Sequence, residues 1–195
     1  SAVRTKTVDV SAELTVTKSS FSQSRNGRDN AGNYIMQYQV RVKNTGGQRI
    51  EDITIVDPFF TDNPGNTFVS ATFLSSTMGL ALNPAYNGTG NPMLVGPTGF
   101  DLDPNQEAII RYRLDWTRDA AVMTNNAYTN TATATGTGVV DGSVTDSDSH
   151  SESITGTANG LDIQKTNLVQ YSYPESDRTI HLYQIVVRQN GNNLV

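Results

Sequence analysis

The chain contains no cysteine, so neither disulfide bonds nor cysteine-ligated zinc can hold its fold together. Its two histidines, His150 and His181, lie far apart in sequence. No nucleophile elbow, phosphate-binding loop or paired-histidine metal motif occurs. There is also no run of about 18 apolar residues, the length that a membrane-spanning helix needs. These absences predict a protein that is not an enzyme and has no membrane span.

Basic residues are scarce as well: 14 Lys and Arg stand against 19 Asp and Glu, a formal net charge of −5. A nucleic-acid partner would require a basic stripe, and the sequence has none. Lys, Glu and Leu are few, whereas Thr, Ser, Asn and Gly are abundant. That composition is typical of secreted β-rich proteins, and the lack of cysteine does not exclude export. We therefore predict an extracellular location at the cell surface.

An internal repeat organises the chain. The stretch "YQVRVKNTGGQRI" at 38–50 returns as "YQIVVRQNGNNLV" at 183–195, and "LTVTK" at 14–18 returns as "LDIQK" at 161–165. The period is too long for a solenoid, whose repeats run about 20–50 residues, and suits a tandem array of whole domains. The predicted divisions are the last strand of a preceding repeat (1–13), a complete repeat (14–160) and the first strands of the next (161–195).

A piece of two or three strands is only marginally stable alone in water. We therefore expect both ends of the sequence to be completed by more protein. Either the chain belongs to a longer tandem array, or an identical neighbouring subunit donates the missing strand by main-chain pairing, as in a filament.

Hydrophobicity alternates with period two in the regular segments 36–43, 49–57 and 110–116, which indicates strands with one buried face. Further strands are predicted at 68–74, 128–137 and 144–154. Short strands joined by Gly, Asn and Pro turns predict an all-β fold, an immunoglobulin-like antiparallel β-sandwich in tandem repeat, with a long inserted loop at 75–105. The predicted core consists of Tyr38, Val40, Val42, Ile53, Ile55, Tyr112, Leu114 and Trp116.

Four motifs occur in a fixed order: "LTVTKS", "YQVRVKNTGGQRIEDITIVDP", "LDPNQEAIIRYRLDW" and "TNTATATG" followed by "DGSVTDSDS". Together they resemble the conserved repeat of bacterial surface proteins known as domain-of-unknown-function family number eleven, over residues 14–154 and again in part over 161–195. The resemblance implies an immunoglobulin-like sandwich, secretion, tandem arrays and a structural or adhesive role, and no chemistry. The chain departs from that pattern at the 75–105 loop and at Asp57–Phe60, where the common Leu-Pro is missing.

The segment "SVTDSDSHSESI" at 143–154 predicts a strand with its acidic residues on one face. Neighbours on that face lie about 6.5 Å apart, so Asp146 and Asp148 could share a calcium ion. The alternative is an edge strand whose charges prevent sheet-to-sheet aggregation. Two Asx-rich loops are also rich in calcium-type ligands, although Asx residues are ordinary turn formers. The loop residues concerned are Asp29, Asn30 and Asn33 in one loop and Asp57, Asp62, Asn63 and Asn66 in the other.

Lys18 on the first strand and Asn130 on a late strand have the placement of an isopeptide cross-link. Some Gram-positive surface sandwiches join such a pair covalently with the help of a buried acid. Lys165 repeats Lys18 in the second copy. A lysine that faces solvent accounts for the same pattern, so both interpretations stay open at this point.

The principal functional prediction is a structural repeat module of a secreted cell-surface stalk, adhesin, surface layer or filament. Its partners would be further repeats of the same protein or identical neighbouring subunits. The alternative is a module that binds a glycan or a protein through the 75–105 loop, which is apolar for its length. Its candidate contact residues are Met78, Leu80, Tyr86 and Met93.

Overall fold

A computed structural model describes residues 10–21, 27–28, 33–96, 98–118, 127–153, 160–173 and 178–190. The chain divides between residues 154 and 155 into two compact units. In the part of the chain that is described, no helix is long and apolar enough to cross a membrane.

The first unit is an immunoglobulin-like sandwich of two antiparallel sheets, as the sequence predicts. One sheet has the order β1-β3-β7-β5, with the short β2 also paired to β3, and the other has the order β6-β4-β8-β9. The strands are β1 (Leu14–Ser20), β2 (Gly27–Arg28), β3 (Tyr34–Asn44), β4 (Ile50–Val56), β5 (Asn66–Ser76), β6 (Phe100–Leu102), β7 (Glu107–Arg118), β8 (Ala127–Gly138) and β9 (Gly142–Ser153).

All eight predicted core residues are buried, and Trp116 is 0 % exposed, which confirms the strand registers. Strict alternation along β3 and β8 turns every second side chain inward. The large apolar groups meet in an aromatic cluster, in which Phe59 lies 5.1 Å from Trp116 and 6.2 Å from Tyr38 between ring centroids. Large aromatic side chains therefore fill the centre of the sandwich.

Three short elements were not predicted: β2, β6 and a four-residue helix, α1 (Phe59–Asp62), which begins three residues after the end of β4. Pro58 precedes it, and Phe59 and Phe60 are both buried. The turn therefore places two aromatic rings in the core at the end of β4. It also fixes the position of Asp57, the last residue before the proline.

The predicted 75–105 loop is an ordered insertion. The residues between β5 and β6, 77–99, are here called the excursion, and its described part, 77–96 and 98–99, packs on the sandwich to which it belongs. Isolated bridges pair Val56 with Met93 and Leu82 with Val95. Leu94 and Val95 belong to the buried core.

The "NTGG" turn between β3 and β4 packs against residues 10–13 of the same unit. The N–H of Thr45 donates to the Glu13 carbonyl at 2.9 Å, and that of Gly47 donates to the Ser11 carbonyl at 3.0 Å. Residues 1–9, which the sequence assigns to a preceding repeat, lie outside the described residues.

Gly46 has no room for a side chain, because an added Cβ would lie 2.2 Å from the Ser11 carbonyl oxygen. We expect Gly46→Ala to lower the free energy of unfolding by about 1–3 kcal/mol, the usual cost of overpacking. Gly90→Ala is the matched control, since nothing lies within 4 Å of its Cβ position. Urea unfolding of both variants checks this, and equal midpoints would contradict it.

The second unit is a two-stranded hairpin of β10 (Gly160–Tyr173) and β11 (Arg178–Asn190). Its register copies that of β1 and β3. Lys18 pairs with Val40 and Lys165 pairs with Ile185, and each residue of the second pair is the repeat counterpart of one in the first. The Nζ atom of Lys165 lies 3.9 Å from the centroid of the Tyr183 ring, as that of Lys18 lies 4.6 Å from the Tyr38 ring.

Candidate functional site: a buried Lys–Asp–Asn cluster

The side chain of Lys18 points into the sandwich. In β1 it falls on the buried face with Leu14 and Val16, and it is 0 % exposed. Its Nζ atom donates a hydrogen bond to the Oδ2 atom of Asp57 and lies 2.9 Å from the Tyr112 hydroxyl oxygen. A lysine is almost never fully buried unless it is paired, and this pairing accounts for its position.

Asp57 is the buried acid of the cluster. Its side chain is 0 % exposed. The Tyr112 hydroxyl donates to Oδ2, and the Tyr86 hydroxyl lies 3.2 Å from Oδ1. Both carboxylate oxygens therefore have donors: Tyr86 for Oδ1, and Lys18 and Tyr112 for Oδ2.

Asn130 completes the cluster from β8, on the inward face that also carries Tyr128 and Ala132. The residue is 0 % exposed, yet neither its Oδ1 nor its Nδ2 atom has a hydrogen-bond partner. A buried polar group without a partner costs about 1–3 kcal/mol. A buried amide without a partner calls for an explanation, and a reaction at the Asn130 amide is one.

Tyr38 lies beside both Lys18 and Asn130. The Lys18 Nζ atom is 4.6 Å from the centroid of its ring. Burial raises the pKa of Tyr38 well above the ordinary value, the negative charges of Asp57 and Glu152 raise it further, and the nearby Asn130 amide lowers it. The Asn130 amide thus lies near the Tyr38 hydroxyl without forming a hydrogen bond of ordinary geometry, and the hydroxyl itself donates to Met36 Sδ at 2.8 Å.

The electrostatics make Lys18 a weaker base than an exposed lysine. Burial lowers the pKa of Lys18, and this effect exceeds the opposing attraction of Asp57. Burial, followed by the charge of Asp57, raises the pKa values of Tyr86 and Tyr112 far above the ordinary value. The two phenols therefore stay protonated and donate hydrogen bonds. The Lys18 side chain loses its proton more readily than that of an exposed lysine, and the neutral amine is a nucleophile.

The predicted calcium residues Asp146 and Asp148 lie at the seam between the two sheets. The Oδ2 atom of Asp146 accepts the main-chain N–H of Val16 at 2.7 Å, and that of Asp148 accepts the N–H of Lys18 at 2.8 Å. Asp146 and Asp148 of β9 thus accept main-chain N–H groups of β1 that a neighbouring strand would otherwise bind. β9 is an edge strand of its sheet, as the alternative interpretation predicts, but its exposed face carries Ser and Thr and its acidic residues lie on the half-buried face.

Replacing either seam carboxylate by alanine leaves a β1 amide without an acceptor. We expect Asp146→Ala and Asp148→Ala each to cost about 1–3 kcal/mol of unfolding free energy. Ser147→Ala, on the exposed face between them, is the matched control. Denaturant midpoints that are equal for all three variants would contradict these contacts.

Melting with calcium and with chelator tests the calcium prediction. Only a bound ion would make the melting temperature higher with calcium than with chelator.

The Asx loops have structural contacts. Asp62 accepts the Thr131 N–H at 3.2 Å, and the Nδ2 atom of Asn63 donates to the Thr129 carbonyl at 2.7 Å. Asn66 donates to the Asn63 carbonyl. Asp29 and Asn30 lie outside the described residues. No group of three metal-binding side chains occurs among the residues that are described.

The predicted contact residues of the excursion differ in how exposed they are. Met78 is 50 % exposed. Leu80 packs partly against the core, and Met93 pairs with Val56. Tyr86 is only 3 % exposed and is bound to Asp57, so it does not face a partner.

The sequence placed Lys18 and Asn130 on suitable strands but did not identify Asp57, Tyr86 and Tyr112 as their neighbours. The two-residue spacing of inward positions was one signal in the sequence that these side chains are buried. Lys18 follows Leu14 and Val16 at two-residue spacing, which puts it on the apolar face. Asn130 stands in the same relation to the inward residues of β8.

No protein-family model matches the chain, and a search of curated proteins finds no significant match. Among solved structures, the chain is similar to the full-length major pilin SpaD from Corynebacterium diphtheriae, with a TM-score of 0.45 and 12 % identity over 78 % of this chain and 37 % of the pilin. It is also similar to a DUF4466 family protein from Parabacteroides merdae, with a TM-score of 0.28 and 8 % identity over 80 % of this chain and 49 % of that protein. The chain thus spans less than half the length of either.

Proposed function

We propose that the protein is a structural repeat module of a bacterial cell-surface filament or stalk, and that an amide bond between Lys18 and Asn130 locks its sandwich against mechanical load. The observation that carries the proposal is the buried cluster: Lys18, which is paired with Asp57, and Asn130, whose amide has no partner, both lie beside Tyr38. An intramolecular cross-link requires the lysine, the aspartate and the asparagine.

The reaction joins two side chains and releases ammonia. Lys18 first transfers a proton to Asp57, which leaves a neutral amine next to a carboxylic acid; in a dry site this neutral pair is favoured over buried charges. The amine attacks the Cγ atom of Asn130, and Asp57 protonates the carboxamide oxygen as the tetrahedral intermediate forms. Collapse of the intermediate breaks the Cγ–Nδ2 bond. The new amide carries one hydrogen, and the leaving nitrogen departs with the transferred proton as ammonium, which restores the Asp57 carboxylate.

The cluster is arranged for this step. The lowered pKa of Lys18 favours the neutral amine, which is the nucleophile. The Tyr112 hydroxyl contacts both Lys18 and Asp57 and can pass a proton between them. The sandwich holds the reactants in place, which removes the entropic barrier of bringing them together.

The hairpin of the second unit supports the tandem arrangement. Its β10–β11 pairing reproduces the β1–β3 register, and Lys165 stands over Tyr183 as Lys18 stands over Tyr38. A module that repeats the same lysine–tyrosine pair fits an array whose partners are further repeats or identical subunits. We place this array outside the cell, where a cysteine-free protein needs another covalent lock.

Pulling single molecules from their two ends tests the load-bearing function. With the cross-link, force passes directly from residue 18 to residue 130, so the chain between them cannot extend. The 112 intervals between these residues, at about 3.3–3.6 Å each, correspond to about 370–400 Å. We expect wild-type unfolding to lengthen the molecule by that much less than unfolding of Lys18→Met.

Lys43→Met is the matched control, because Lys43 lies in β3 outside the cluster. It should give the wild-type increment. An equal increment for wild type and Lys18→Met would contradict the proposal.

A further inference from the structure

We propose that the excursion completes the cross-linking site, and that Tyr86 is the residue that positions the Asp57 carboxylate for reaction. This inference rests on the proposed function. It assigns to an inserted segment, which the sequence suggested as a contact surface for partners, a role inside its own domain.

The excursion holds the main chain at Asp57 and over the two residues before it. The N–H of Asp57 donates to the Pro92 carbonyl at 2.8 Å, and the N–H of Leu94 donates to the Ile55 carbonyl at 2.8 Å. The bridge between Val56 and Met93 lies between these two bonds. The excursion therefore acts as an additional strand at the point where β4 ends and the acid is presented.

Tyr86 then fixes the side chain. Its hydroxyl lies 3.1 Å from the Asp57 carbonyl oxygen and 3.2 Å from Oδ1. Oδ2 is thereby left for Lys18 and Tyr112. The terminal torsion of an aspartate is broad, so without this contact the carboxylate could rotate away from the lysine.

The tyrosine is suited to this role. Burial and the charge of Asp57 raise the pKa of Tyr86 well above the ordinary value, so the hydroxyl stays protonated and donates. Its ring is 3 % exposed and meets the rings of Tyr112 and Phe68 edge-on, at 6.2 and 6.5 Å. The side chain thus also excludes water from the acid.

The backbone next to Tyr86 is seated closely on α1. The N–H of Phe60 donates to the Gly88 carbonyl at 3.1 Å. Gly88 has a φ of +66°, and an added Cβ would lie 2.6 Å from Cδ2 of Phe60. A side chain at this position would push the excursion away from the core, and Tyr86 with it.

The test measures the rate of ammonia loss. The 195-residue chain is made by cell-free synthesis, and samples quenched over time are weighed by mass spectrometry. We expect Tyr86→Phe, which keeps the ring and removes the hydroxyl, to slow cross-linking about 10–100-fold, since a hydrogen bond to a charged group contributes about 1.5–3 kcal/mol. Gly88→Ala should slow it as well, whereas Gly90→Ala should not.

Tyr128→Phe is the control for loss of a buried hydroxyl outside the cluster and should react at the wild-type rate. Fluorotyrosine at position 86 retains the hydroxyl and should react at about the wild-type rate. If Tyr86→Phe does not fold, Gly88→Ala decides: a rate equal to that of Gly90→Ala overturns the proposal.

The outcomes for the two proposals are distinct. A wild-type chain that never loses ammonia refutes the cross-link and with it this inference. A wild-type chain that loses ammonia while Tyr86→Phe does so equally fast refutes only the role of Tyr86.

Discussion

Asn130→Leu is expected to lower the free energy of unfolding by about 4–5 kcal/mol. The substitution removes a cross-link that closes a loop of 112 intervals between residues 18 and 130. The loop-entropy treatment of disulfides assigns about 4.7 kcal/mol to a loop of about 100 residues. For a chain of this size the melting temperature should fall by about 10–20 °C, which calorimetry can measure.

The sign of this effect separates the cross-link from ordinary packing. If Asn130 were an unreacted amide, leucine would replace a buried polar group that has no partner by an apolar group of similar size, and stability should be unchanged or increased. Asn44→Leu serves as the comparison. The Nδ2 atom of Asn44 is bonded to the carbonyls of Gln48 and Leu102, so this variant loses hydrogen bonds but keeps the cross-link.

Asp57→Ala is expected to be the most damaging single change. It prevents the cross-link and also leaves the buried Lys18 side chain without its partner, and breaking a buried pair in this way costs about 3–5 kcal/mol. The two losses together are comparable with the whole stability of a typical domain, about 5–15 kcal/mol. We therefore expect little folded protein, as judged by soluble yield and circular dichroism.

A second substitution should rescue this variant in part. Lys18→Met in the Asp57→Ala background removes the unpaired amine and leaves an apolar side chain on the inward face of β1. We expect the double variant to be more stable than Asp57→Ala alone, although still without the cross-link. A double variant less stable than Asp57→Ala would show that the Lys18–Asp57 pair is not the source of the loss.

Much of the fold was predictable because it depends on local pattern. Two-residue alternation located the core strands, and the inward residues Tyr38, Tyr112 and Trp116 proved to be fully buried. The helix α1 escaped prediction because a single turn after Pro58 has no periodicity to detect. Its two phenylalanines enter the core through tertiary packing.

The site was harder to predict because its members meet only through sheet topology. Lys18, Asp57 and Asn130 come from three strands or their ends, and strand spacing does not reveal which inward positions face each other across a sandwich. On sequence alone Asp57 belongs to an Asx loop, whereas in the structure its side chain is buried. Tyr86 lies in an insertion that has no counterpart in the alternating pattern.

The central claim is that the side chains of Lys18 and Asn130 are joined by an amide bond. Peptide mapping of the purified wild-type chain tests it most directly. We predict a branched peptide that contains residues 18 and 130 and is lighter by one ammonia than the sum of its linear parts. Mapping is necessary because succinimide formation at an Asn–Gly pair such as Asn87–Gly88 loses the same mass. Linear peptides carrying an unmodified Lys18 and an unmodified Asn130 would contradict the claim.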